Sequence, residues 1–359
     1  MAVLLFLLVL FLLILVHEWG HFIVAKKTGM QVDEFGIGFP PKLWGIKKGE
    51  TEYTFNLLPI GGFVRILGED GSEESEVNPR SFTAKSKWAQ AAVLIAGVSM
   101  NIIFAWFLFV LVFLIGVPST VDEAEAGEGA ALVISEVLND SPAKNAGLTA
   151  GSVIYSVSNG EETLVNPTPS TFTALVEESV EKTLTVRLGS DGEQIVELTP
   201  EAGVLESAPE RPAVGLALAL VATKQYSFLA AVKEANISTY TTLVAITVGV
   251  TNLIASSLTL SADLSQVAGP IGIVGLVGDA AAFGLTSLMT FTAIISLNLA
   301  VINLLPFPAL DGGRLLFVAA ETVLRRPINP VWMARVNTIG FAFLILLMIA
   351  ISVNDVARM

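Results

Sequence analysis

The sequence contains no cysteine and only two histidines among its 359 residues. The absence of cysteine excludes disulfide bonds and cysteine-ligated metals, although it leaves the redox compartment open. Charged residues are also scarce, because they make up 15% of the chain, against roughly 25% in ordinary soluble proteins. Hydrophobic residues make up 53%. This composition favours a membrane protein.

Long runs without charge locate the predicted membrane spans. Residues 2–16 and 102–115 contain only apolar side chains, and residues 280–310 and 336–354 contain no charged ones. Each region can supply the roughly 20 residues that a spanning helix needs. A signal peptide is the alternative for the first run, but no basic residue precedes it and no A-x-A-like cleavage site follows.

These runs divide the chain into two membrane regions around one soluble domain. The predicted parts are a first membrane region (1–118) with spans at 2–25 and 88–117 around a polar segment (26–87), a soluble domain (119–208), and a second membrane region (209–359) with an interfacial helix (226–262) and spans at 285–305 and 336–353. Residues 235–262 are uncharged and long enough to cross the bilayer, so a further span is the alternative there. We predict an interfacial or re-entrant helix, because a crossing would move a cluster of arginines to the outer side.

The distribution of charge predicts the orientation. Basic residues are concentrated in the segment between the first two spans and in the short loop between the last two, which makes both cytoplasmic. The residues between Pro118 and Lys224 include 17 acidic and 5 basic ones, and we expect this acidic domain outside. A nucleic-acid partner is not expected, since binding to phosphates requires a basic surface.

Both histidines lie in the motif His17-Glu18-Trp19-Gly20-His21, at the end of the first apolar run. Residues four apart share one face of a helix, so the pattern H-E-x-x-H allows both imidazoles to reach one zinc ion, with Glu18 as general base. Two helix-packing histidines are the alternative. Ionisable groups at membrane depth are costly, however, and they mark functional sites by default.

Asp311 is the predicted third metal ligand. A catalytic zinc ion usually has three protein ligands and one open position, and the sequence has no third histidine. Asp311 closes an uncharged run within NLLPFPALDGG, residues 303–313, where prolines break the helix and glycines allow a close backbone approach. An ordinary interfacial aspartate is the alternative. Two histidines and one carboxylate with an open position favour zinc over other metals.

These motifs resemble those of the site-2 protease family of intramembrane zinc metalloproteases. Further similar stretches are Gly61-Gly62-Phe63-Val64 with Leu67-Gly68-Glu69, Ala268-Gly269-Pro270-Ile271-Gly272-Ile273, and Asn101 in Gly97-Val-Ser-Met-Asn101, where Val98 replaces the family's usual proline. The resemblance implies a polytopic α-helical membrane protein with about four transmembrane helices and a membrane-associated β-hairpin. It also implies one zinc ion held by His17, His21 and Asp311, with Glu18 as the catalytic base.

Two groups of residues are predicted to hold an unwound substrate. Residues 51–55 and 62–66 are interpreted as a short hairpin whose edge could bind substrate backbone by strand addition, mainly through Gly62, Phe63 and Val64. In the family, the asparagine that matches Asn303 is assigned to substrate binding, and Asn298 lies five residues before it. A purely structural hairpin, and hydrogen bonding between helices by the asparagines, are the alternatives.

The soluble domain resembles an extracytoplasmic PDZ domain of the α+β class. The similar stretch runs from Ser141-Pro142-Ala143 to Ile154. Such domains bind extended peptides by strand addition, and residues 127–132 are the predicted binding loop, with Gly129, Ala131 and Leu132 contacting the peptide. A size filter that excludes substrates with large ectodomains is an equal alternative.

The resulting prediction is an intramembrane zinc endopeptidase that cuts transmembrane segments of single-pass membrane proteins with zinc-activated water and a glutamate base. The expected partners are the lipid bilayer and substrates already shortened by another protease, such as anti-sigma factors or remnant signal peptides. The expected location is the cell membrane, with the active site toward the cytoplasm. A zinc-bearing scaffold and a metal transporter are competing hypotheses. An intact Glu18 disfavours the first, and the clustering of charge at one depth disfavours the second.

Overall fold

The computed structural model describes residues 1–69, 78–127, 129–180, 182–189, 191–204, 208–259 and 269–358. Several predicted features extend beyond these residues: the polar segment at residues 70–77, the predicted binding loop at residue 128, the rest of the soluble domain at residues 181, 190 and 205–207, the predicted interfacial helix at residues 260–262, and the Gly-Pro segment at Ala268. The chain forms two compact units, one made of residues 1–115 and 227–359 and the other of residues 116–226.

The helices and strands of the first unit lie toward both ends of the chain, and those of the second unit lie between them. In chain order they are α1 (Ala2–Lys27), β1 (Val32–Lys48), β2 (Thr51–Ile66), α2 (Lys87–Ile115), β3 (Val117–Thr120), β4 (Ala131–Val137), α3 (Pro142–Asn145), β5 (Val153–Ser158), β6 (Thr163–Val165), α4 (Pro169–Glu178), β7 (Leu184–Leu188), β8 (Gln194–Leu198), β9 (Leu216–Lys224), α5 (Phe228–Leu258), α6 (Pro270–Ala282), α7 (Leu285–Leu304), α8 (Asp311–Leu324) and α9 (Pro330–Arg358).

Among the described residues, five helices are long and apolar enough to cross a membrane, namely α1, α2, α5, α7 and α9. A helix satisfies all its backbone hydrogen bonds internally, which lipid requires of any spanning segment. The prediction of a polytopic helical membrane protein is confirmed. The predicted interfacial segment forms the continuous helix α5, and its lack of a crossing stays a prediction.

Close packing of α1 against α2 depends on a glycine inside the H-E-x-x-H motif. A Cβ atom at Gly20 would lie 2.4 Å from the carbonyl oxygen of Ala96 and 2.7 Å from the side chain of Met100. No other residue type fits this contact without moving the helices apart. Beyond Gly20 along α1, Phe22 and Ala25 pack with Val93 and Leu94 of α2 in a buried apolar cluster.

The predicted pairing of residues 51–55 with 62–66 is wrong. Both segments belong to β2, and β1 lies between them: residues 34–37 pair with 52–55 on one side and with 62–65 on the other. The last part of β1, residues 44–48, pairs with 51–55. The bent strands therefore make an antiparallel arrangement in which residues 62–66 lie at one edge. No described strand pairs with the outer side of that edge.

The second unit is built on a seven-stranded sheet in the order β3-β9-β4-β5-β7-β8, with β6 paired to β5. Its core consists of buried residues from the strands and from α4, among them Ile134, Val157 and Phe172. Helix α4 begins with a capping box between Thr168 and Thr171, an arrangement that satisfies two free backbone N–H groups. The unit extends past the predicted limits, 119–208, because β9 lies inside the sheet between β3 and β4.

Candidate metal centre

Three side-chain atoms converge where α1 meets the start of α8. The Nε2 atoms of His17 and His21 lie 3.1 Å apart, and Oδ2 of Asp311 lies 3.0 Å from the first and 3.4 Å from the second. Around a tetrahedral zinc ion with bonds of about 2.0–2.1 Å, ligand atoms lie about 3.3 Å apart. The three atoms therefore have the spacing of zinc ligands before any rearrangement.

The opposite ring nitrogens hold the two imidazoles in orientation. Nδ1 of His21 lies 2.8 Å from the carbonyl oxygen of Val93, and Nδ1 of His17 lies 3.3 Å from the side-chain amide of Asn101. A carbonyl can only accept, so Nδ1 of His21 carries the proton and Nε2 keeps its lone pair. Metal-binding histidines are held in this way by a second partner. Neither Val93 nor the contact of Asn101 was predicted, because both depend on how α2 packs against α1.

Asn101 is itself fixed in the core. It is fully buried, and its backbone carbonyl accepts a hydrogen bond from the Ser296 hydroxyl of α7 over 2.8 Å. Its Oδ1 has no hydrogen-bond partner among the described residues. The only sequence signal for this residue was its resemblance to the family's second-span motif.

The space between the ligand atoms also fits a cation. Oδ2 of Asp311 is buried and has no hydrogen-bond partner among the described residues, although both Nε2 atoms lie within 3.4 Å of it. Lone pairs that face each other at this distance repel unless a positive charge lies between them. Gly97 leaves the space open, since a Cβ atom there would lie 2.3 Å from Nε2 of His21 and 2.7 Å from Cε1 of His17.

Asp311 reaches the histidines because the chain turns sharply between two helices. Helix α7 ends at Leu304, the connection includes Ala309 at a φ of 72°, and α8 begins at Asp311. The two following glycines make this turn possible. A Cβ atom at Gly312 would lie 2.3 Å from the Leu304 carbonyl oxygen, and one at Gly313 would lie 2.1 Å from that of Phe307.

Glu18 lies beside this centre and touches the sheet. Its Oε2 accepts a hydrogen bond from the backbone N–H of Val64 over 3.0 Å. Its side chain also lines a cavity of about 240 Å³ together with His17, Asn101, Asn303 and Asp311. The arrangement places the carboxylate of Glu18, two of the three potential metal ligands and two amides around one space large enough for a peptide group and water.

The predicted substrate-binding residues are not all brought to this cavity. Asn303 lines it, whereas Asn298 does not, and its amide donates to the Ile294 carbonyl of its own helix over 3.0 Å. Gly62 and Val64 lie on the edge of β2 nearest Glu18. The ring of Phe63 points to the opposite side of the strand, over Gly36, and stacks on Phe39 at 6.3 Å.

The predicted peptide-binding residues of the second unit are not placed for strand addition. Ala131 and Leu132 lie in β4, whose edges are already paired with β9 and β5, and Leu132 is buried in the core. Gly129 is exposed and outside the strands. A cavity of about 190 Å³ lies elsewhere in this unit, between α4 and the beginning of β9, with Phe172, Val176 and Leu216 in its wall.

Comparison with known proteins agrees with the geometry of this centre. A sequence model of peptidase family M50 matches residues 5–347. A provisionally named zinc metalloprotease of Clostridium perfringens is 34% identical over 96% of this chain and 95% of its own length. The regulator of sigma-W protease RasP of Bacillus subtilis is 29% identical over 100% and 99%, and the zinc metalloprotease RasP of Bacillus licheniformis is 31% identical over the same shares.

Proposed function

The chain belongs to peptidase family M50 and is a zinc metallopeptidase, and from this premise we propose that it hydrolyses peptide bonds within the transmembrane segments of single-pass membrane proteins. The observation that carries the proposal is the convergence of His17, His21 and Asp311 beside Glu18, on helices that are long and apolar enough to cross a membrane. This process is regulated intramembrane proteolysis.

His17 and His21 would hold zinc through Nε2, and Asp311 through Oδ2. Bound there, zinc supplies Lewis acidity that makes water acidic near neutral pH and polarises the scissile carbonyl. Asn101 and the Val93 carbonyl keep the lone pairs of the imidazoles directed at the ion. For His17 this requires an acceptor at Nδ1, which Asn101 provides when its Oδ1 faces the ring.

Glu18 would act as the general base. Oε2 is engaged by the Val64 N–H, which leaves Oε1 to take a proton from the attacking water. The same oxygen then returns the proton to the leaving nitrogen, so that the glutamate ends the cycle ionised. Its place in the wall of the cavity supports this assignment.

The edge of β2 would hold the substrate backbone. A transmembrane helix must unwind before its carbonyls can be attacked, and an extended segment can then pair with residues 62–64 by strand addition. The outer side of this edge, with which no described strand pairs, supports the role of Gly62. Val64 would contribute its carbonyl, because its N–H is held by Glu18. Asn303 would donate from its amide to the same segment, and Asn298 would act only after releasing its bond to Ile294.

The proposal also covers the orientation in the membrane, the role of the second unit and the substrate class. The metal centre would open to the cytoplasm and the second unit, residues 116–226, would lie outside as a PDZ-like domain that captures peptides or excludes large ectodomains. If it captures peptides, the cavity between α4 and β9 is a better site than residues 127–132. Substrates would arrive already shortened by another protease. The name of the Bacillus subtilis relative, regulator of sigma-W protease, supports anti-sigma factors as a substrate class, and remnant signal peptides are the other.

The deciding experiment is cleavage of a truncated single-pass reporter by the purified protein in detergent. Wild type and Glu18→Gln are compared, and bound zinc is measured in both. We expect cleavage by the wild type alone, with one zinc ion retained in each. If both bind zinc and a panel of transmembrane substrates stays intact, the scaffold hypothesis replaces the proposal.

A further inference from the structure

Arg314 joins the helix that begins at Asp311 to the end of the strand that contacts Glu18. One arm of its guanidinium, Nη1, donates to the side-chain carboxylate of Glu69. The other arm, Nη2, donates to the backbone carbonyl of the same residue over 2.8 Å. A guanidinium that engages both a carboxylate and a carbonyl fixes position and orientation together, which a point charge cannot do.

Glu69 in turn is bound to the last residue of β2. Its backbone N–H donates to the Ile66 carbonyl over 3.2 Å, and its Oε2 lies 3.4 Å from the Ile66 N–H. The turn between them includes Gly68 at a φ of 75°. Glu69 is therefore held in place by Ile66, and by binding Glu69, Arg314 holds the turn that ends the strand.

A second contact braces the same turn. The guanidinium of Arg314 lies 6.0 Å from the ring centre of Phe82, which is within the range of a cation–π interaction. Phe82 is buried, and its backbone N–H donates to the Leu67 carbonyl over 2.8 Å. The contact of Arg314 with Glu69 and its contact with Phe82 thus both reach the residues that follow Ile66.

These contacts connect the helix that carries Asp311 to the strand that contacts Glu18. Asp311 and Arg314 lie one turn apart on α8, Arg314 holds Glu69, and the strand that ends there contacts Glu18 through Val64. We infer that Arg314 and Glu69 are positioning residues, which hold the edge of β2 in place beside the metal ligands so that it can bind a substrate strand there. This inference rests on the proposed function of that edge.

Another ion pair on α8 provides a matched control. Lys87 at the start of α2 pairs with Glu321 over 2.5 Å, and both side chains are partly buried, like those of Arg314 and Glu69. This pair links α8 to α2 and does not involve the strand. Lys87→Gln should therefore remove an ion pair from the same helix without moving the substrate edge.

The test measures kcat, KM and bound zinc for Arg314→Gln, Glu69→Gln and Lys87→Gln with the truncated reporter. We expect Arg314→Gln to raise KM by roughly tenfold, which corresponds to the loss of about one hydrogen bond to the substrate backbone, with zinc and kcat nearly unchanged. Glu69→Gln should raise KM less, since the carbonyl contact remains. Lys87→Gln should change neither constant.

A merely structural role would give a different result. Loss of folded or zinc-loaded enzyme lowers kcat and leaves KM unchanged, and that outcome for Arg314→Gln, or wild-type kinetics, overturns the inference. If Arg314→Gln does not fold, Arg314→Lys decides, because it keeps the charge but cannot engage both oxygens. An unchanged KM in that variant also overturns the inference. The comparison of wild type with Glu18→Gln tests the proposed function separately.

Discussion

The backbone N–H of Val64 donates to Oε2 of Glu18 over 3.0 Å, and this bond connects the edge of the sheet to the glutamate of the H-E-x-x-H motif. The two residues are 46 positions apart. The bond engages one carboxylate oxygen of a side chain that also lines the cavity. It also brings the strand edge close to the centre, as the proposed pairing of a substrate with that edge requires.

Removal of this N–H should impair catalysis without releasing the metal. In Val64→Pro the donor is lost, while proline is tolerated on an edge strand whose N–H faces away from the partner strand. A hydrogen bond to a charged group contributes about 1.5–3 kcal/mol, so we expect cleavage to fall roughly 10- to 100-fold. Zinc stoichiometry should stay at the wild-type value.

Val64→Ala is the matched control, because it shortens the side chain and keeps the N–H. Its cleavage rate should remain within about twofold of the wild type. Equal losses in the alanine and proline variants would mean that side-chain packing, and not the hydrogen bond, is responsible.

Filling the space beside the histidines should prevent metal binding. In Gly97→Ala the new Cβ atom would lie 2.3 Å from Nε2 of His21, so the helices must separate or the ring must turn away. We expect the purified variant to carry little zinc and to lack activity. The control is Gly249→Ala in α5, where a Cβ atom has no neighbour within 4 Å among the residues that the structure describes. Metal content equal to that of the control would refute this account of Gly97.

Asn101→Ala should weaken zinc binding rather than abolish it. The variant removes the polar partner of His17 Nδ1, and the loss of such a partner typically costs 10- to 100-fold in metal affinity. Competition with a chelator of known affinity measures the change. Ser296→Ala serves as the control, because it removes a bond to the Asn101 backbone and leaves the amide in place. We expect its zinc affinity to lie much nearer that of the wild type.

Stability should depend on pH through Glu50, in the turn between β1 and β2. Hydrogen bonds from Arg80 and Lys26 lower the pKa of Glu50 from 4.5 to about 2. Because the folded pKa lies below the unfolded one, the contribution is present in full above about pH 4.5 and is lost as the pH falls toward 2. The melting temperatures of wild type and Glu50→Gln should therefore differ at neutral pH and converge near pH 2. A difference that does not vary with pH would contradict the assignment.

Most of the metal centre could be predicted from the sequence because its determinants are local. Helical periodicity alone brings His17 and His21 to one face, and the scarcity of other ionisable groups at membrane depth made Asp311 the leading candidate for the third ligand. The apolar runs likewise identified the long helices, since lipid requires an uninterrupted apolar helix whatever its neighbours are.

Only the tertiary structure decided what surrounds these ligands. The pairing of β1 with both halves of β2 was missed, because alternation marks a strand but does not choose its partner. The contacts of His21 with Val93, of Glu18 with Val64 and of Arg314 with Glu69 join residues 72, 46 and 245 positions apart. Such contacts follow from how closely helices and strands approach, which depends on glycines such as Gly20 and Gly97 and on the packing of the whole chain. The sequence by itself determined which atoms could hold the metal, and the packing decided what orients them.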